Sequence, residues 1–334
     1  MSASLHSLVL GYHAAAVQEV AVFPVGSWLE NLAVRDDGHI LVTRIDEPTL
    51  WSIDPSTGHV SLVTRFPDAT SAFGITHLGK YVFAVAVGNY SLASSKSTSG
   101  TYSVYTVDFR SASGEIDAPV LVLKAASVPS ASIINGLTTF DAETRTVLAA
   151  DTNLGLVYKI DTTTGKSSTV LTGEAFEAPP AIPMGVNGLQ YDATSSTLYF
   201  SNTGTGTLCR VPLALDGSAA GRVETLAKDL HIPDDFILLA GNALIAVNQI
   251  RSIVQLSLEK GVDRSPLVLA GGPESQDFAN PTAVALSRSG ARRHLYVTTG
   301  GMRDKDGTAV TGGKVLAIEL PEVAYKSKVE HLDL

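Results

Sequence analysis

Short apolar stretches alternate with polar turns along the whole chain, and segments with helical periodicity are almost absent. One phrase returns repeatedly: a small or polar turn, an apolar strand, a Gly or Ser turn, and a β-branched strand. The intervals between its copies, apart from a longer one between the second and the third, are close to the roughly 40–50 residues of a four-stranded propeller blade. The pattern therefore predicts an all-β fold, a six-bladed β-propeller with four-stranded antiparallel blades. The six copies begin at Glu30, Phe73, Asn135, Asn187, Asp234 and Asn280.

The two ends of the repeat pattern predict how the ring closes. Residues 313–320 leave the last blade one strand short, whereas residues 18–23 precede the first phrase without a partner. We expect these segments to pair, because an open row of blades would leave backbone groups without partners at its ends. The longest irregular segment, residues 91–103, is expected to lie as a loop over one face of blade two. The predicted organisation is an N-terminal segment (1–16), a single propeller domain (17–321) and a C-terminal tail (322–334).

Composition excludes several classes of partner and site. The 334 residues are 45% hydrophobic with a net charge of -9, so they can build a large core and on average repel nucleic acid and anionic membranes. A single cysteine, Cys209, excludes an internal disulfide and a cysteine-built metal centre. The longest apolar run, residues 81–87, is far shorter than the about 20 residues of a membrane helix. We expect a cytoplasmic protein that binds neither nucleic acid nor membrane, and the pattern leaves its oligomeric state open.

The position before each innermost strand is expected at one rim of the central channel, because repeats place equivalent residues in a ring. Five of these six positions carry a carboxylate or an amide, the exception being Phe73. Each one alone is a common turn former. Together their oxygens match the ligands of a calcium-like cation, and without a cation the carboxyls would have raised pKa values suited to acid catalysis. A hydrogen-bonded plug of the channel is the alternative to a working site.

Motifs of other enzyme classes are missing from the chain. The eight histidines lack the spacings of zinc enzymes, and the sequence has no Gly-x-Ser-x-Gly elbow, no Gly-x-Gly-x-x-Gly turn and no complete phosphate-binding P-loop. Serine hydrolases, dinucleotide enzymes and nucleotide enzymes are therefore not expected. Residues near the rim are candidates for a substrate pocket, although core packing is the simpler explanation for any single apolar one. The candidates are Trp28, Phe73, Tyr90, Met184, Asp235, Asn280 and Met302.

From about Trp28 to Thr299 the order of phrases resembles the SMP-30/gluconolactonase/LRE-like six-bladed propellers. In that family a Glu in the first phrase, an Asn in an Asn-Gly-Leu phrase and an Asp in a Pro-Asp-Gly phrase bind a divalent cation, and a second Asn helps to hold substrate. The resemblance implies a lactonase or esterase that depends on Ca²⁺ or another divalent cation. It places the metal ligands on Glu30, Asn187 and Asp234, and the substrate-holding amide on Asn135.

Four positions depart from this family, one of them Leu32, which replaces the proline of its Glu-Gly-Pro phrase. Its Glu-Gly-Pro phrase has Asn31 in place of the glycine, and its Pro-Asp-Gly phrase has Asp235 in place of the glycine. Ile133 stands where sugar-lactone hydrolases tend to keep an arginine for the substrate. A sugar acid would therefore find no cationic partner at Ile133.

The amino-acid sequence of residues 28–35, 234–236 and 295–301 is similar to that of a fungal branch of the family. This branch includes hetero-Diels-Alderases of tropolonic sesquiterpene biosynthesis. This resemblance implies a cofactor-free cyclase with a small apolar or aromatic substrate. Such an enzyme would help a hydroxymethyl tropolone or phenol lose water to a quinone methide, which then adds to an apolar polyene such as humulene in a [4+2] closure. Its expected catalytic residues are Glu30, Asp234, Asn135 and Asn187.

Three classes of function therefore compete: the cyclase, the cation-dependent lactonase, and a non-catalytic propeller that binds a partner on its flat face. The metal-ligand set favours the lactonase, whereas Ile133, the two replaced glycines and the similarity to the fungal branch favour the cyclase. We favour the cyclase. A binding module ranks third because it needs no converging carboxylates, and the fold alone does not decide function.

Overall fold

The fold is a ring of six four-stranded antiparallel sheets, as the repeat pattern predicts. The computed structural model describes residues 16–112, 120–259, 261, 264–288 and 293–320. Strands run from Val17 to Glu319, within the predicted domain of residues 17–321. The predicted segments 1–16 and 322–334 lie outside the described residues, except for residue 16. Within the described part of the chain, no helix has the length and apolar character needed to cross a membrane.

Each blade uses strands that follow one another in the chain, except the last blade, which also contains the first strand, β1 (Val17–Val22). Blade 1 consists of β2 (Leu29–Val34), β3 (Ile40–Arg44), β4 (Thr49–Ile53) and β5 (Val60–Arg65). Blade 2 consists of β6 (Ser71–Gly79), β7 (Val82–Gly88), β10 (Ser103–Asp108) and β11 (Leu121–Ser127), with a hairpin of β8 (Tyr90–Ser91) and β9 (Lys96–Ser97) between its second and third strands. A short 3-10 helix, Arg110–Ala112, follows β10.

The remaining blades repeat the same order without such an insertion. Blade 3 consists of β12 (Ile134–Asp141), β13 (Thr146–Asp151), β14 (Leu156–Asp161) and β15 (Ser167–Thr172). Blade 4 consists of β16 (Val186–Asp192), β17 (Thr197–Asn202), β18 (Thr207–Pro212) and β19 (Glu224–Ala227). Blade 5 consists of β20 (Pro233–Leu239), β21 (Asn242–Val247), β22 (Ser252–Ser257) and β23 (Leu267–Gly271). Blade 6 consists of β24 (Pro281–Leu286), β25 (His294–Thr299), β26 (Lys314–Glu319) and β1.

The ring closes as expected, because the first strand of the chain completes the last blade. β1 pairs antiparallel with β26, with Val17 opposite Ile318 and Val22 opposite Lys314. This pairing joins the two ends of the propeller through a backbone hydrogen-bond ladder and leaves no open blade.

Burial follows the position of a strand within its blade. The second strands β7, β13 and β17 are buried along their whole length, because neighbouring blades cover both of their faces. The outermost strands, such as β5 and β15, are largely exposed. Aromatic residues fill the space between blades; for example, Phe176 and Phe200 stack with 4.4 Å between ring centroids in the cluster between blades 3 and 4. This packing holds the innermost strands around a common channel.

The prediction of an irregular loop at residues 91–103 is wrong in part, because β8 and β9 form a hairpin there. The hairpin is tied to blade 2 by the hydroxyls of Thr70 and Ser71, which both donate to the carbonyl of Tyr90 at 3.0 Å. It also reaches blade 3, where the Asn153 side chain donates to the Ser97 hydroxyl at 3.2 Å. Serine-rich composition hid this structure, since hydroxyl-to-backbone bonds rather than apolar alternation hold the hairpin in place.

Candidate functional site

A β-bulge near the start of each innermost strand positions the rim residues. In blade 1, Leu29 pairs with Arg44 and Leu32 pairs with Val42, so two residues of β2 oppose the single residue Thr43. The other five innermost strands have the same irregularity at the same place. A bulge bends the strand and changes the direction of its side chains. The first residues of the bulges are Glu30, Phe73, Asn135, Asn187, Asp234 and Thr282.

Blade 6 therefore corrects one predicted rim position. Pro281 pairs with Thr299 and Val284 with Val297, which makes Thr282 rather than Asn280 the equivalent of Glu30. Asn280 lies before the strand with a positive φ of 54°, and its side chain donates to the carbonyl of Gly301 at 2.7 Å. The repeated sequence pattern points to Asn280 in this blade, whereas the pairing of β24 with β25 places Thr282 in the bulge.

The four predicted catalytic residues lie together at the rim. Glu30 accepts a hydrogen bond from the indole N–H of Trp28 at 2.9 Å and a second one from the Asn135 side chain. Across the channel, the amide nitrogen of Asn187 donates to Oδ1 of Asp234 at 2.9 Å. Glu30 and Asp234 are close enough to interact electrostatically. Residues that are far apart in the sequence thus form one polar cluster.

Burial raises the pKa values of all three carboxyl groups in this cluster, and repulsion by neighbouring acids raises those of Glu30 and Asp234 further. Burial, followed by the charge of Asp235, raises the pKa of Glu30 to about 7. Burial also raises the pKa of Asp235 to about 7. The pKa of Asp234 lies well above its usual range, first because of burial and then because of its two acidic neighbours. No lysine or arginine is among the groups that shift these values, so the cluster can hold protons near neutral pH.

An apolar wall stands beside the carboxyl groups. Trp28, Tyr90, Leu92 and Ile133 are half-buried and pack against the same core cluster of blades 2 and 3. The pKa of the Tyr90 phenol is raised, mainly by burial and further by the charge of Glu30, which places this ring near the acids. Ile133 packs against the same cluster as Trp28 and Tyr90, so this position of the wall carries hydrocarbon. The site therefore combines acid groups with a surface suited to an apolar molecule.

The other predicted pocket residues have different surroundings. Phe73 is 1% exposed and packs against Tyr90 with 6.1 Å between ring centroids, so it supports the wall instead of offering a surface of its own. Met302 precedes Arg303, whose guanidinium lies 5.9 Å from the centre of the Trp28 ring. Met184 is exposed in the segment before β16. The prediction that Phe73 lines the pocket is therefore wrong, because its ring is buried. The predicted pocket residue Asp235 lies close to Glu30 and Asp234, whose pKa values its charge raises.

The oxygen atoms at the rim fit a divalent cation. Both amide hydrogens of Asn187 are used, one by Asp234 and the other by the Thr203 hydroxyl at 2.9 Å. Its oxygen Oδ1 is buried and has no hydrogen-bond partner among the described residues. Together with the carboxylates of Glu30 and Asp234 it offers the hard oxygen ligands that Ca²⁺ prefers. Within the described ranges, no group of three or more His, Cys, Asp or Glu side chains is arranged to hold a metal ion on its own.

A cavity of about 630 Å³ lies further along the channel, beyond the rim residues. Asn31 and Asp235 line it on the rim side, and the amide nitrogen of Asn31 donates to Oδ2 of Asp235. The far end carries the charged residues Asp36 and Arg288 together with His77. This end of the channel was not among the predicted sites.

Sequence reasoning missed three residues that shape the rim. Asn31 was noted only as a replaced glycine, Thr203 follows an ordinary strand, and Leu92 lies in the serine-rich insertion. The repeat pattern does carry a signal for Asn31, because it occupies the position of the second bulge residue. Thr203 and Leu92 have no comparable signal, since long-range contacts alone bring them to the site.

The chain matches no family model, but it is similar to other proteins over most of its length. It is 25% identical to asR5 of Sarocladium schorii over 317 residues, covering 83% of this chain and 76% of that protein, which is named as a candidate hetero-Diels-Alderase. A protein of Phoma sp with the same kind of name is 22% identical over 311 residues, covering 84% of this chain and 85% of the relative.

Solved structures with the same fold are more distant in sequence. A luciferin-regenerating enzyme superposes with a TM-score of 0.63 at 16% identity, covering 91% of this chain and 95% of its own. Regucalcin of Agrobacterium tumefaciens, described as a calcium-binding protein, superposes with a TM-score of 0.62 at 16% identity, covering 92% of this chain and 95% of its own. By fold the chain is therefore a six-bladed propeller that resembles the luciferin-regenerating enzyme and regucalcin structures, and by sequence it is similar to proteins named as hetero-Diels-Alderases.

Proposed function

We propose that this protein is a cofactor-free cyclase of the hetero-Diels-Alderase type, acting on a small aromatic precursor and an apolar polyene. The observation that carries the proposal is the meeting of proton-holding carboxyl groups and an apolar wall at one rim. Glu30 bonds to the half-buried Trp28 and lies near Tyr90, and Ile133 packs against the same core cluster as these two rings. The names of the sequence relatives support the same class of reaction.

The carboxyl cluster suits the formation of a quinone methide by loss of water. In a hydroxymethyl tropolone or phenol, the exocyclic C–O bond breaks and the leaving hydroxyl takes a proton from the protonated Glu30 or Asp234. The ring hydroxyl gives its proton to a carboxylate of the same cluster and becomes the carbonyl. One water leaves and no oxidant is needed. A carboxyl with a pKa near 7, as for Glu30, is present in both forms at neutral pH.

The apolar wall suits the ring closure. The quinone methide and an alkene such as that of humulene form one C–C and one C–O bond, so that no nucleophile from the protein takes part. Holding both partners in a near-attack geometry can lower the barrier by roughly 7–11 kcal/mol. The Asn135 amide is the donor that would polarise the carbonyl as negative charge develops on it, because both amide hydrogens of Asn187 are already used. Trp28, Tyr90 and Ile133 exclude water, which would otherwise add to the intermediate.

Mixing the purified protein with a hydroxymethyl tropolone precursor and humulene tests the proposal. We expect one stereoisomer of the cycloadduct to be enriched over the spontaneous mixture, as measured by chiral chromatography. Protein denatured by heat serves as the control for catalysis by bulk polypeptide. An isomer ratio identical to that without protein would contradict the cyclase.

A cation-dependent lactonase or esterase is the second candidate, favoured by the partnerless Oδ1 of Asn187. Glu30, Asp234 and this oxygen would hold the cation. The cation would act as a Lewis acid that polarises the ester carbonyl. Bound positive charge would also relieve the repulsion between the two carboxylates. Ile133 leaves a sugar acid without a cationic partner, which directs this candidate towards an uncharged lactone.

Metal analysis separates the two candidates. For the lactonase we expect about one divalent cation per chain and loss of ester hydrolysis after treatment with EDTA. For the cyclase we expect stereoselective cycloaddition to persist in protein freed of metal. Activity towards an aryl ester that returns on adding Ca²⁺, together with unselective cycloaddition, would establish the lactonase instead.

A further inference from the structure

The second residue of each bulge forms its own ring beneath the rim. In blades 2, 3 and 4 this residue is a glycine that touches the backbone or acid of the next blade. A Cβ built on Gly74 would lie 2.3 Å from the carbonyl oxygen of Asn135, and one on Gly136 would lie 2.2 Å from that of Asn187. One on Gly188 would lie 2.3 Å from Oδ1 of Asp235. Bare backbone therefore closes this part of the ring.

Blades 1 and 5 place side chains at the same level. Asn31 and Asp235 occupy the positions of the glycines, and Asn31 donates to Asp235 although blade 6 lies between their blades. Ala283 of blade 6 fills the position between them and is 1% exposed. The two glycine replacements noted in the sequence are thus in direct contact across the channel.

The Asn31 side chain is held in a single orientation. Its oxygen Oδ1 accepts the backbone N–H of Leu32 at 2.8 Å, which turns the amide nitrogen towards Asp235. Its own backbone N–H donates to the hydroxyl of Thr43 at 3.1 Å, and that hydroxyl donates to the carbonyl of Phe73 at 2.6 Å. Asn31 is 7% exposed. These hydrogen bonds fix the Asn31 end of its contact with Asp235, so that the contact can act as a rigid barrier.

The pair lies at the boundary between two parts of the channel. On one side are Glu30 and Asp234, whose pKa values respond to the charge of Asp235. On the other side is the cavity of about 630 Å³, lined by Asn31 and Asp235 themselves and by polar groups such as Gln190 and His77. A cavity of this size with polar partners holds water.

We infer that the Asn31–Asp235 hydrogen bond is the floor of the rim site and separates the reacting molecules from the water of the lower channel. The inference rests on the proposed cyclase for its chemical purpose, since a quinone methide is consumed when water adds to its exocyclic carbon. Glycines at these two positions would leave a gap through which water reaches the rim. Asn31 and Asp235 act in this way as positioning residues that protect the intermediate.

Two measurements test the floor, one of which does not depend on activity. High-resolution crystal structures of the wild type and of Asn31→Gly/Asp235→Gly should show ordered water interrupted between Asn31 and Asp235 in the former and continuous up to Glu30 in the latter. Asn31→Ala serves as a milder variant in case the double variant fails to fold. Asp235→Asn, whose amide oxygen can still accept from Asn31, should keep the water interrupted. A continuous file of water through the wild-type floor would overturn the inference.

The second measurement uses water labelled with ¹⁸O. Addition of this water to the quinone methide returns the hydroxymethyl precursor with ¹⁸O, so the label in recovered precursor reports water attack. We expect labelling, relative to cycloadduct, to rise several-fold in Asn31→Ala. It should stay at the wild-type level in Asn242→Gly, which loses a part-buried hydrogen bond donated by the Gln255 side chain in blade 5. Equal labelling in wild type and Asn31→Ala would overturn the protective role. A wild type without stereoselectivity would instead remove the cyclase and leave the crystallographic result to decide the floor.

Discussion

The two ends of the central channel treat their acidic groups in opposite ways. At the rim, Glu30 is bonded to the Trp28 indole and to an amide, and Asp234 to an amide. At the far end, Asp36 forms an ion pair with Arg288 at 2.5 Å and accepts the backbone N–H of Tyr81 at 3.2 Å. The far end therefore neutralises its charge with a cation from the protein, whereas the rim does not.

This difference supports the proposal that catalysis takes place at the rim. Neutral donors compensate a buried carboxylate only in part, so the acid keeps a raised pKa and its proton remains available. At the far end the guanidinium of Arg288 compensates the charge of Asp36 directly. Clusters with raised pKa values mark functional sites more often than paired ones do. This contrast supports our proposal that the rim is catalytic and the far end structural.

The largest expected effect is the loss of turnover when a rim acid is neutralised. Glu30→Gln keeps an oxygen for the Trp28 indole but has no proton to give, and Asp234→Asn changes the opposite side. We expect cycloadduct formation to fall by about 10²–10⁴-fold in each, the range for general acid–base groups. The melting temperature should stay level or rise, because a buried acid is removed. Unfolding of both variants would instead give these residues a structural role.

The pH dependence of turnover gives the next largest effect. Glu30 has a pKa of about 7, so its proton-donating form is lost as the pH rises above that value, and turnover should fall there by about tenfold per pH unit. The indole bond of Trp28 lowers this pKa, so Trp28→Phe should move the fall to higher pH. The pH–rate profiles of the two proteins measure the shift. An unmoved profile would mean that Glu30 is not the titrating group.

At the far end we expect an effect of pH on stability and none on turnover. Burial, followed by the charge of Arg288, lowers the pKa of His77 to about 4, below the ordinary value of 6.5. Between these values the unfolded chain binds the proton and the folded chain does not, so stability falls as the pH falls from 6.5 towards 4. His77→Phe, beside Phe83 at 4.5 Å between ring centroids, should reduce this loss by on the order of 1–3 kcal/mol. Urea unfolding at several pH values provides the measurement, and parallel curves would contradict it.

The smallest effect is expected for the ion pair itself. Asp36→Asn removes the partner of a half-exposed arginine, and such pairs contribute about 0–1 kcal/mol to the free energy of unfolding. Turnover should remain at the wild-type level because Asp36 lies at the other end of the channel. A strong loss of turnover in this variant would show that the two ends are coupled, which the comparison does not expect.

Local patterning predicted most of the fold and part of the site. The repeated phrases predicted the blades and their number, and the segment at residues 18–23 predicted the closure through β1 and β26. The alignment failed at Asn280, where strand pairing places Thr282 at the rim instead. It also treated Phe73 as pocket surface, although its ring is enclosed by aromatic neighbours. Both errors concern the direction of a side chain, which depends on bulge register and on neighbouring blades.

The sequence by itself determined the propeller, because strand alternation and turn residues are local properties that recur in every blade. It also supplied the acids and amides in equivalent positions. Only the tertiary structure decided that Asn31 is hydrogen-bonded to Asp235 and that Trp28, Tyr90 and Ile133 pack against one core cluster. It also decided that Asn187 donates both amide hydrogens, while its oxygen has no hydrogen-bond partner among the described residues. The physical reason is that hydrogen bonds, charge repulsion and desolvation act over a few ångströms in space, regardless of separation along the chain.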